Sequence, residues 1–320
     1  MNDPHPGAIT HFIITVDAET YALGGKLPDF GPNLYGQCGR EEFGVPKIIE
    51  ICDKYGAKAT FFVDVYMHRH YGKQQTRDFC QRIARDGHDV QLHAHTSWLP
   101  GSHSGFLYDF PLDRQVDILR EGKELIDEWV GRPPVAFRAG SYSANLDTIQ
   151  ALARNGFLID SSYFARRHTC QLSRQLCNRY ANKQFRIDEI VEIPVTTYWL
   201  LNKGPLRKLS KLDFNACSLA ELRDVVPKMI AGGVRQIVLF LHSFSFIRWK
   251  KDFSGFVPNH RAIARFDNFL REFKGWKNIR FTTMEEAASL LVGDAEGGAD
   301  CIPTVRLSGL FPRAIQRVLG

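Results

Sequence analysis

Side chains that bind metals or carry protons follow five short apolar runs of this sequence. They are Asp17 and Glu19 after the first run, His93 and His95 after a later one, and then Arg138, Asp160 and His242. Side chains two positions apart on an extended segment point the same way, so the members of each pair can face a common point. Two neutral imidazoles and one carboxylate, with a further position open to water, form the zinc-type site of hydrolytic enzymes.

Such a site would hydrolyse an acyl bond. The metal lowers the pKa of bound water toward about 7 and polarises the attacked carbonyl. A second carboxylate that is not a ligand can take the proton from that water. An arginine beside this carboxylate keeps it ionised and oriented, and a histidine on the opposite side can protonate the leaving nitrogen. The residue types at these five positions therefore favour a metal-dependent hydrolase.

Each of these features also has an ordinary structural interpretation. A single H-x-H pair can bond to backbone or solvent, a D-x-E at a strand end can cap a helix, and Arg138 alone can form a surface ion pair. The hydrolase interpretation depends on their coincidence, because five strand ends carry complementary parts of one site.

The elements that must position these residues alternate between strands and helices. Buried strands are predicted at residues 11–16, 58–65, 90–92, 134–137, 157–159, 189–195, 236–241 and 278–281. Amphipathic helices are predicted at residues 45–55, 77–85, 112–130, 146–155, 219–230, 262–273 and 284–291. About seven strand–helix units in series predict a single α/β domain with one parallel sheet closed into a (β/α) barrel, whose chemistry collects at the C-terminal strand ends.

The composition is that of an ordinary soluble protein. The chain has 320 residues, a net charge of +6, 44% hydrophobic and 24% charged residues, which excludes disordered and collagen-like chains. No apolar run approaches the roughly 20 residues of a membrane span, and the first residues lack the basic and apolar stretches of a signal peptide. Seven scattered cysteines without a C-x-x-C pair indicate reduced thiols. We therefore expect a water-soluble, cytoplasmic protein.

The sequence divides into a barrel over residues 1–292 and a linker with an amphipathic tail over residues 293–320. Residues 293–300 are rich in glycine and acidic residues, and residues 305–319 mix apolar side chains with arginines. The tail could be an interfacial helix that makes peripheral contact with a membrane, but docking back onto the barrel is the favoured interpretation.

Several motifs in combination resemble a known family. They are I-I-T-V-D-A-E at residues 13–19, K-A-T-F-F-V at 58–63, G-H-D-V-Q-L-H at 87–93, F-R-A-G at 137–140 and L-F-L-H at 239–242. Over residues 10–290 the sequence resembles the polysaccharide deacetylases of the NodB-homology, carbohydrate-esterase-4 type. The resemblance implies a distorted, TIM-like (β/α) barrel with about seven parallel strands. It also implies a divalent metal, usually zinc, and hydrolysis of an N-acetyl group on an amino sugar.

The resemblance assigns a role to four of these residues. Asp17 matches the catalytic base, Arg138 the arginine that orients this base, His242 the general acid, and His93 the first metal histidine. A backbone N–H near Tyr142 would stabilise the oxyanion together with the metal.

The sequence departs from the family pattern at three positions. Ala18 stands where the family has its metal-binding aspartate, and Glu19 is expected to replace it. The second metal histidine normally falls four residues after the first, at Ser97 here, and His95 is expected to replace it. Gly140 stands where the third motif usually has proline. The predicted metal ligands are Glu19, His93 and His95, with Asp17 in place of Glu19, or Ser97 in place of His95, as the open alternatives.

Charged and aromatic residues of the predicted strand-end loops bear on the substrate. Basic residues gather in three of these loops: Arg166 and Arg167; Lys203, Arg207, Lys208 and Lys211; and Arg248, Lys250 and Lys251. A ring of positive charge would hold an anionic substrate, whereas a solvated rim would contribute only solubility. No nucleic-acid-binding motif accompanies these residues, so nucleic acid is not an expected partner. The predicted substrate contacts are Tyr142, Asp160, Trp199 and Trp249.

We therefore predict a cytoplasmic hydrolase with one divalent metal, zinc in the first instance, that removes an N-acyl group, expected to be acetyl, from an amino sugar. The sugar could be an anionic or a lipid- or nucleotide-linked precursor of a cell-surface polysaccharide. Two alternatives stay open. One is a deformylase or other amide hydrolase acting on a non-polymeric substrate, and the other is a catalytically inactive carbohydrate-binding module. The sequence predicts no particular oligomeric state.

Overall fold

Strands form the centre of the fold. The computed structural model describes residues 9–21, 27–250, 252, 254–291 and 298–306. The strands in this part of the chain are β1 (Thr10–Ala18), β2 (Gln37–Cys38), β3 (Glu41–Glu42), β4 (Thr60–Asp64), β5 (Asp89–Ala94), β6 (Ala136–Ala139), β7 (Ile159–Asp160), β8 (Phe185–Ile187), β9 (Ile190–Glu192), β10 (Thr197–Lys203), β11 (Leu206–Lys211), β12 (Gln236–His242), β13 (Ile247–Trp249), β14 (Phe256–Pro258) and β15 (Ile279–Phe281). Every predicted strand overlaps one of these strands.

Helices follow most strands of the main sheet. They are α1 (Val45–Lys54), α2 (His68–Tyr71), α3 (Lys73–Arg85), α4 (Leu112–Val130), α5 (Leu146–Arg154), α6 (Gln171–Gln175), α7 (Leu219–Ala231), α8 (His260–Phe273) and α9 (Met284–Leu291). Capping boxes start α5 at Asn145 and α7 at Ser218, where the cap side chain accepts a hydrogen bond from the third helical N–H. Among the helices of the described ranges, none has the length and apolar character that crossing a bilayer requires.

The main sheet is parallel and curled. Its strand order is β12-β1-β4-β5-β6-β7-β9-β8, with β15 also paired to β1. Each neighbouring pair is parallel except β8 and β9. Residues 212–214 lie along β12, since the Phe240 N–H donates to Leu212 O and the Phe214 N–H donates to Phe240 O. The predicted α/β fold with a distorted parallel barrel is confirmed, and this barrel is open on one side.

Parallel pairing brings the ends of successive strands to one edge of the sheet. Asp17 of β1 lies opposite His242 of β12, and His93 of β5 lies between Asp64 of β4 and Arg138 of β6. The residues predicted to do chemistry therefore share this edge because of strand register alone.

A β-hairpin that the sequence did not predict stands beside this edge. It is formed by β10 and β11, with Thr197 opposite Lys211 at its base. Residues 298–306, assigned above to the linker and tail, lie against it, because the Trp199 N–H donates to Pro303 O and the Val305 N–H donates to Trp199 O. The predicted linker and tail positions 293–297 and 307–320, and the predicted basic position Lys251, fall outside the described residues.

Candidate active site

Glu19, His93 and His95 form a cluster at the carboxyl edge of the sheet. His93 Nε2 lies 3.2 Å from Glu19 Oε2, which also contacts His95 Nε2. One ligand atom from each of the three residues lies within 4.8 Å of the others. The D-x-E and H-x-H spacings thus bring together the three side chains that were predicted as metal ligands.

A backbone contact fixes the orientation of His93. Its Nδ1 lies 2.8 Å from the carbonyl oxygen of Arg138. A carbonyl can only accept, so Nδ1 carries a hydrogen, and Nε2 is the nitrogen that faces the Glu19 carboxylate. Metal-ligating histidines commonly have their second nitrogen bonded in this way.

His95 reaches the cluster through contacts with two neighbouring strand ends. Its backbone N–H lies 3.5 Å from Asp64 Oδ1, and its ring packs against Gly140, where a Cβ would come within 2.7 Å of Nδ1. Asp64 is buried and accepts a hydrogen bond from Trp98 Nε1 at 2.7 Å. Burial raises the pKa of Asp64, although the nearby imidazoles oppose this shift. Ser97, the alternative ligand position, is exposed in the turn that follows.

The electrostatics of the cluster suit a divalent cation. Burial opposes charge on Glu19 and on His95, but their mutual contact outweighs it. The pKa of Glu19 lies well below its usual range, and that of His95 is raised to about 9. An anionic carboxylate with two imidazoles is a donor set that zinc accepts, and the cation would displace the proton from His95 on binding. The residues present therefore fit the metal that the family resemblance implies.

Asp17 and Arg138 form a buried ion pair beside the cluster. Arg138 Nη1 lies 2.7 Å from Asp17 Oδ1, and the arginine side chain is fully buried. Arg138 also donates to Thr15 Oγ1 at 3.0 Å and to the carbonyl and hydroxyl oxygens of Ser161 at 3.1 and 3.0 Å. Asp17 Oδ2 lies 3.9 Å from His93 Nε2. The carboxylate is thus held through one oxygen while the other faces the cluster, where it can accept a proton.

His242 approaches the same cluster from β12. Its Nε2 lies 3.6 Å from Glu19 Oε1, and its ring stacks on Phe244 with the centroids 4.7 Å apart. Burial lowers the pKa of His242, while Glu19 opposes this shift and Lys211 reinforces it. The imidazole is therefore mainly neutral near pH 7 and is a strong acid once protonated.

Lys211 brings a cation into the site. Its Nζ lies 2.9 Å from Tyr142 Oη and 3.2 Å from Asp213 Oδ2, and it sits 3.3 Å from the centroid of the Phe240 ring. Burial lowers the pKa of Lys211, but Tyr142 and Asp213 outweigh this effect and raise it overall. Lys211 is therefore charged at neutral pH. It is mostly buried, unlike the exposed residues Lys203, Arg207 and Lys208 with which it was grouped above.

Asp160 lies outside the reach of a substrate. Its side chain is fully buried, it accepts a hydrogen bond from Ser162 Oγ at 2.6 Å, and it stands opposite the buried Glu192 of β9. Asp160 therefore has a structural position between strands, in place of the substrate contact that was predicted from its place at a strand end.

The two predicted tryptophan contacts lie on hairpins beside the sheet. Trp199 of β10 is 6% exposed and lies under the guanidinium groups of Arg166 and Arg207, at 5.7 and 5.1 Å from its ring centroid. Trp249 of β13 is partly buried against Phe256. Their contact with a substrate stays a prediction.

The site also contains residues to which the sequence gave no role in the chemistry. Asp64 ends β4, but the predicted strand ran through it to residue 65, so it was not counted among the polar strand ends. Lys211 was grouped only with the basic loop residues and Asp213 carried no signal, because the hairpin that ends at Lys211 reads as a polar, basic loop.

Comparison with known proteins points to one family. The family model described as polysaccharide deacetylase matches residues 29–159. The peptidoglycan deacetylase-like protein FGM2 of Gibberella zeae is 26% identical over 297 residues, which cover 84% of this chain and 80% of that protein.

Solved structures share the fold over nearly the whole chain. A polysaccharide deacetylase-type protein of Mycobacterium smegmatis matches with a TM-score of 0.60 and 19% identity, covering 95% of both chains. A protein of Pseudomonas aeruginosa PAO1 described as a probable polysaccharide deacetylase matches with a TM-score of 0.56 and 14% identity, covering 91% of this chain and 94% of that one. The matched family model and the relative agree with the resemblance to polysaccharide deacetylases, and the shared architecture shows that the chain has a NodB-type fold.

Proposed function

We propose that this protein is a metal-dependent hydrolase that removes an N-acyl group, acetyl in the first instance, from an amino sugar. The observation that carries the proposal is the position of the Asp17 carboxylate, which Arg138 holds, beside the three predicted metal ligands. Asp17 Oδ2 lies 3.9 Å from Nε2 of His93, which belongs to the Glu19–His93–His95 cluster. Similarity to polysaccharide deacetylases supports a carbohydrate-linked amide as the substrate.

Each side chain of the site has a distinct task in this proposal. Glu19, His93 and His95 would hold the metal, which when bound polarises the acyl oxygen and acidifies water. Asp17 takes the proton of the attacking water at Oδ2. Arg138 holds this carboxylate through Oδ1, so that the accepting oxygen stays directed at the cluster.

His242 is the acid for the leaving amine. An amine departing from a tetrahedral carbon must be protonated, because its anion is too strong a base to leave. The Nε2 atom of His242 faces the cluster from 3.6 Å, on the edge where the amide would lie. Because burial lowers the pKa of His242, its protonated form is scarce at high pH but transfers its proton readily.

Positive charge around the site supports an anionic sugar. The guanidinium groups of the exposed residues Arg166 and Arg207 lie over Trp199, and the chain carries a net charge of +6. Such charge raises the local concentration of anionic substrates. We propose a phosphorylated or otherwise acidic amino sugar, such as a lipid- or nucleotide-linked precursor. The seven cysteines are thiols and form no disulfide, which supports a reducing, cytoplasmic setting.

Metal analysis and product identification together test the proposal. The zinc-loaded protein is compared with Glu19→Ala, His93→Ala and His95→Ala for metal content and for acetate released from N-acetylglucosamine and its phosphate esters. We expect about one equivalent of zinc in the wild type and loss of both metal and acetate release in each variant. His260→Ala, which removes an exposed histidine at the start of α8, is the matched control.

The same assay separates the alternatives. Formate in place of acetate would identify a deformylase. Retained metal without release of any acyl group from the sugars would favour an amide hydrolase with another substrate. Sugar binding without turnover and without metal would favour a carbohydrate-binding module and contradict the proposal.

A further inference from the structure

Lys211 and Tyr142 form a hydrogen bond with a defined direction. Lys211 Nζ lies 2.9 Å from Tyr142 Oη, and both side chains are largely buried. An ammonium group has three donors and no acceptor, so the phenolic oxygen must accept and its own hydrogen must point elsewhere. Among the described residues, no other group lies within hydrogen-bond distance of this hydroxyl. The Tyr142 O–H is therefore a donor left available to a molecule in the site.

This donor lies among the groups that would perform the chemistry. The Tyr142 ring lies 6.1 Å from the ring of Phe240, which is itself 4.7 Å from the His242 ring and 5.3 Å from the Arg138 guanidinium group. Burial raises the pKa of Tyr142 against the opposing charge of Lys211. The phenol therefore keeps its proton at neutral pH. A base must lie within about 3 Å of the water whose proton it takes. Because Phe240 also borders Arg138, which contacts Asp17, the Tyr142 donor lies in the neighbourhood of the acyl group that this water attacks.

The backbone at Tyr142 adopts a conformation that residues other than glycine rarely take. Ser141 and Tyr142 have φ angles of 53° and 60°, in the left-handed region. Consecutive strained residues persist only where their surroundings determine them, and they concentrate at functional sites. Here the Tyr142 ring is packed against Phe164 and Phe240, with centroids 5.1 and 6.1 Å away. In this conformation the Tyr142 hydroxyl contacts Lys211.

Lys211 is held as firmly from its own side. It stands opposite Thr197 at the base of the β10–β11 hairpin, with Asp213 Oδ2 at 3.2 Å and the Phe240 ring beneath its ammonium group. Burying an ion pair is unfavourable unless its geometry is well satisfied. An exposed lysine would contribute as much to solubility. The burial of Lys211 therefore favours a role inside the site.

We infer that Lys211 is a positioning residue that turns the Tyr142 hydroxyl outward to donate a hydrogen bond to the acyl oxygen of the substrate as negative charge develops there. The proton stays on the phenol, and no bond to Tyr142 forms or breaks. Because the oxygen is more negative in the transition state than in the substrate, the bond strengthens during the reaction and raises kcat more than it lowers KM. This inference rests on the proposed function.

A double-mutant cycle tests the inference. The kcat and KM for acetate release by the zinc-loaded protein are measured for Tyr142→Phe, Lys211→Met and the double variant. We expect each single change to lower kcat by about 10- to 100-fold with little change in KM. The double variant should be no slower than Tyr142→Phe alone, because Lys211 acts through the phenol. Lys211→Arg, which also can only donate, should keep most of the rate, and Lys277→Met, which changes an exposed lysine in the turn before β15, should change nothing.

Binding of sodium acetate to the zinc-loaded protein provides a readout that does not need turnover. Its carboxylate offers the acceptor oxygen, so Tyr142→Phe and Lys211→Met should weaken acetate binding non-additively, measured by titration calorimetry. Coupled losses in acetate binding with no turnover of any N-acyl sugar would uphold the donor pair and refute the proposed function. Additive losses, or an effect confined to KM, would overturn the donor pair while leaving the hydrolase intact. A wild type that neither turns over nor binds acetate would refute both.

Discussion

The imidazole of His95 packs directly on the α-carbon of Gly140. A Cβ at position 140 would lie 2.7 Å from Nδ1 and 2.8 Å from Cε1 of His95, closer than such atoms approach one another. These two residues also stand at positions where the sequence departs from the family motifs it resembles. The contact links the two departures, because the absence of a side chain at position 140 creates the space that the ring of His95, two residues after His93, occupies.

A methyl group at position 140 should therefore weaken metal binding. The added methyl group of Gly140→Ala would press on the His95 ring and on the Ala94 carbonyl oxygen, which is also 2.7 Å away. It would displace the ring from Glu19 and lower zinc affinity by about 10- to 100-fold, as is typical when a group that orients a ligand is changed. Competition with a chromophoric chelator measures this affinity. Gly275→Ala, whose Cβ would meet nothing closer than 3.5 Å, is the matched control. Equal zinc affinity in Gly140→Ala and wild type would show that His95 is not a ligand.

Asp17→Asn should remove the base while leaving the metal site in place. The amide oxygen can still accept the hydrogen bond from Arg138, but the group can no longer take a proton. We expect kcat to fall by about 10²- to 10⁴-fold with unchanged zinc content, measured by metal analysis and acetate release on the same sample. Loss of zinc in this variant would mean that Asp17 is the ligand and that Glu19 has the other role.

The contribution of His242 should depend on the leaving group. In His242→Ala an amino-sugar leaving group has no proton donor, whereas a p-nitrophenolate group departs without one. We expect the rate with an N-acetyl amino sugar to fall by about 10²- to 10⁴-fold and the rate with p-nitrophenyl acetate to fall far less. Equal losses with the two substrates would assign His242 to binding or to metal orientation instead of proton transfer.

The strands and the ligand cluster could be predicted from the sequence because both are encoded locally. A buried parallel strand appears as an apolar run, and the polar residue that ends it marks the edge where the site forms. Strand register then determines which side chains are neighbours: it sets His93 between Asp64 and Arg138.

The hairpin and the residues it positions could not be predicted in the same way. Residues 197–211 carry many basic and polar side chains, so they read as a loop, although they form two paired strands. What distinguishes Lys211 from Lys208 is its place at the base of this hairpin, where it meets Tyr142. The burial of Asp160 could not be predicted for a related reason. Its neighbour Glu192 lies on β9, which is distant in sequence and meets Asp160 only through sheet pairing.

Asp160 and Glu192 face each other as two fully buried carboxyl groups. Asp160 Oδ1 accepts from Ser162, and Glu192 Oε1 accepts from the Tyr163 N–H at 3.0 Å. Among the described residues, Asp160 Oδ2 and Glu192 Oε2 have no donor except a proton shared between the two acids. Burial, reinforced by the neighbouring Asp160, raises the pKa of Glu192 well above its usual range. The folded protein therefore keeps a proton that the unfolded chain releases.

This retained proton should make stability fall as pH rises. Above about pH 4.3 the unfolded chain loses the proton of Glu192 and the folded protein does not, so the free energy of unfolding declines by up to about 1.4 kcal/mol per pH unit until the raised pKa is reached. In Glu192→Gln the side-chain amide can donate to Asp160 Oδ2 at every pH, so this decline should disappear and the variant should be the more stable protein at pH 8. Urea unfolding from pH 5 to 8 measures the free energy of unfolding of both proteins. Glu189→Gln, which changes an exposed residue in the turn between β8 and β9, is the control. Parallel curves for Glu192→Gln and wild type would show that the two carboxyl groups share no proton.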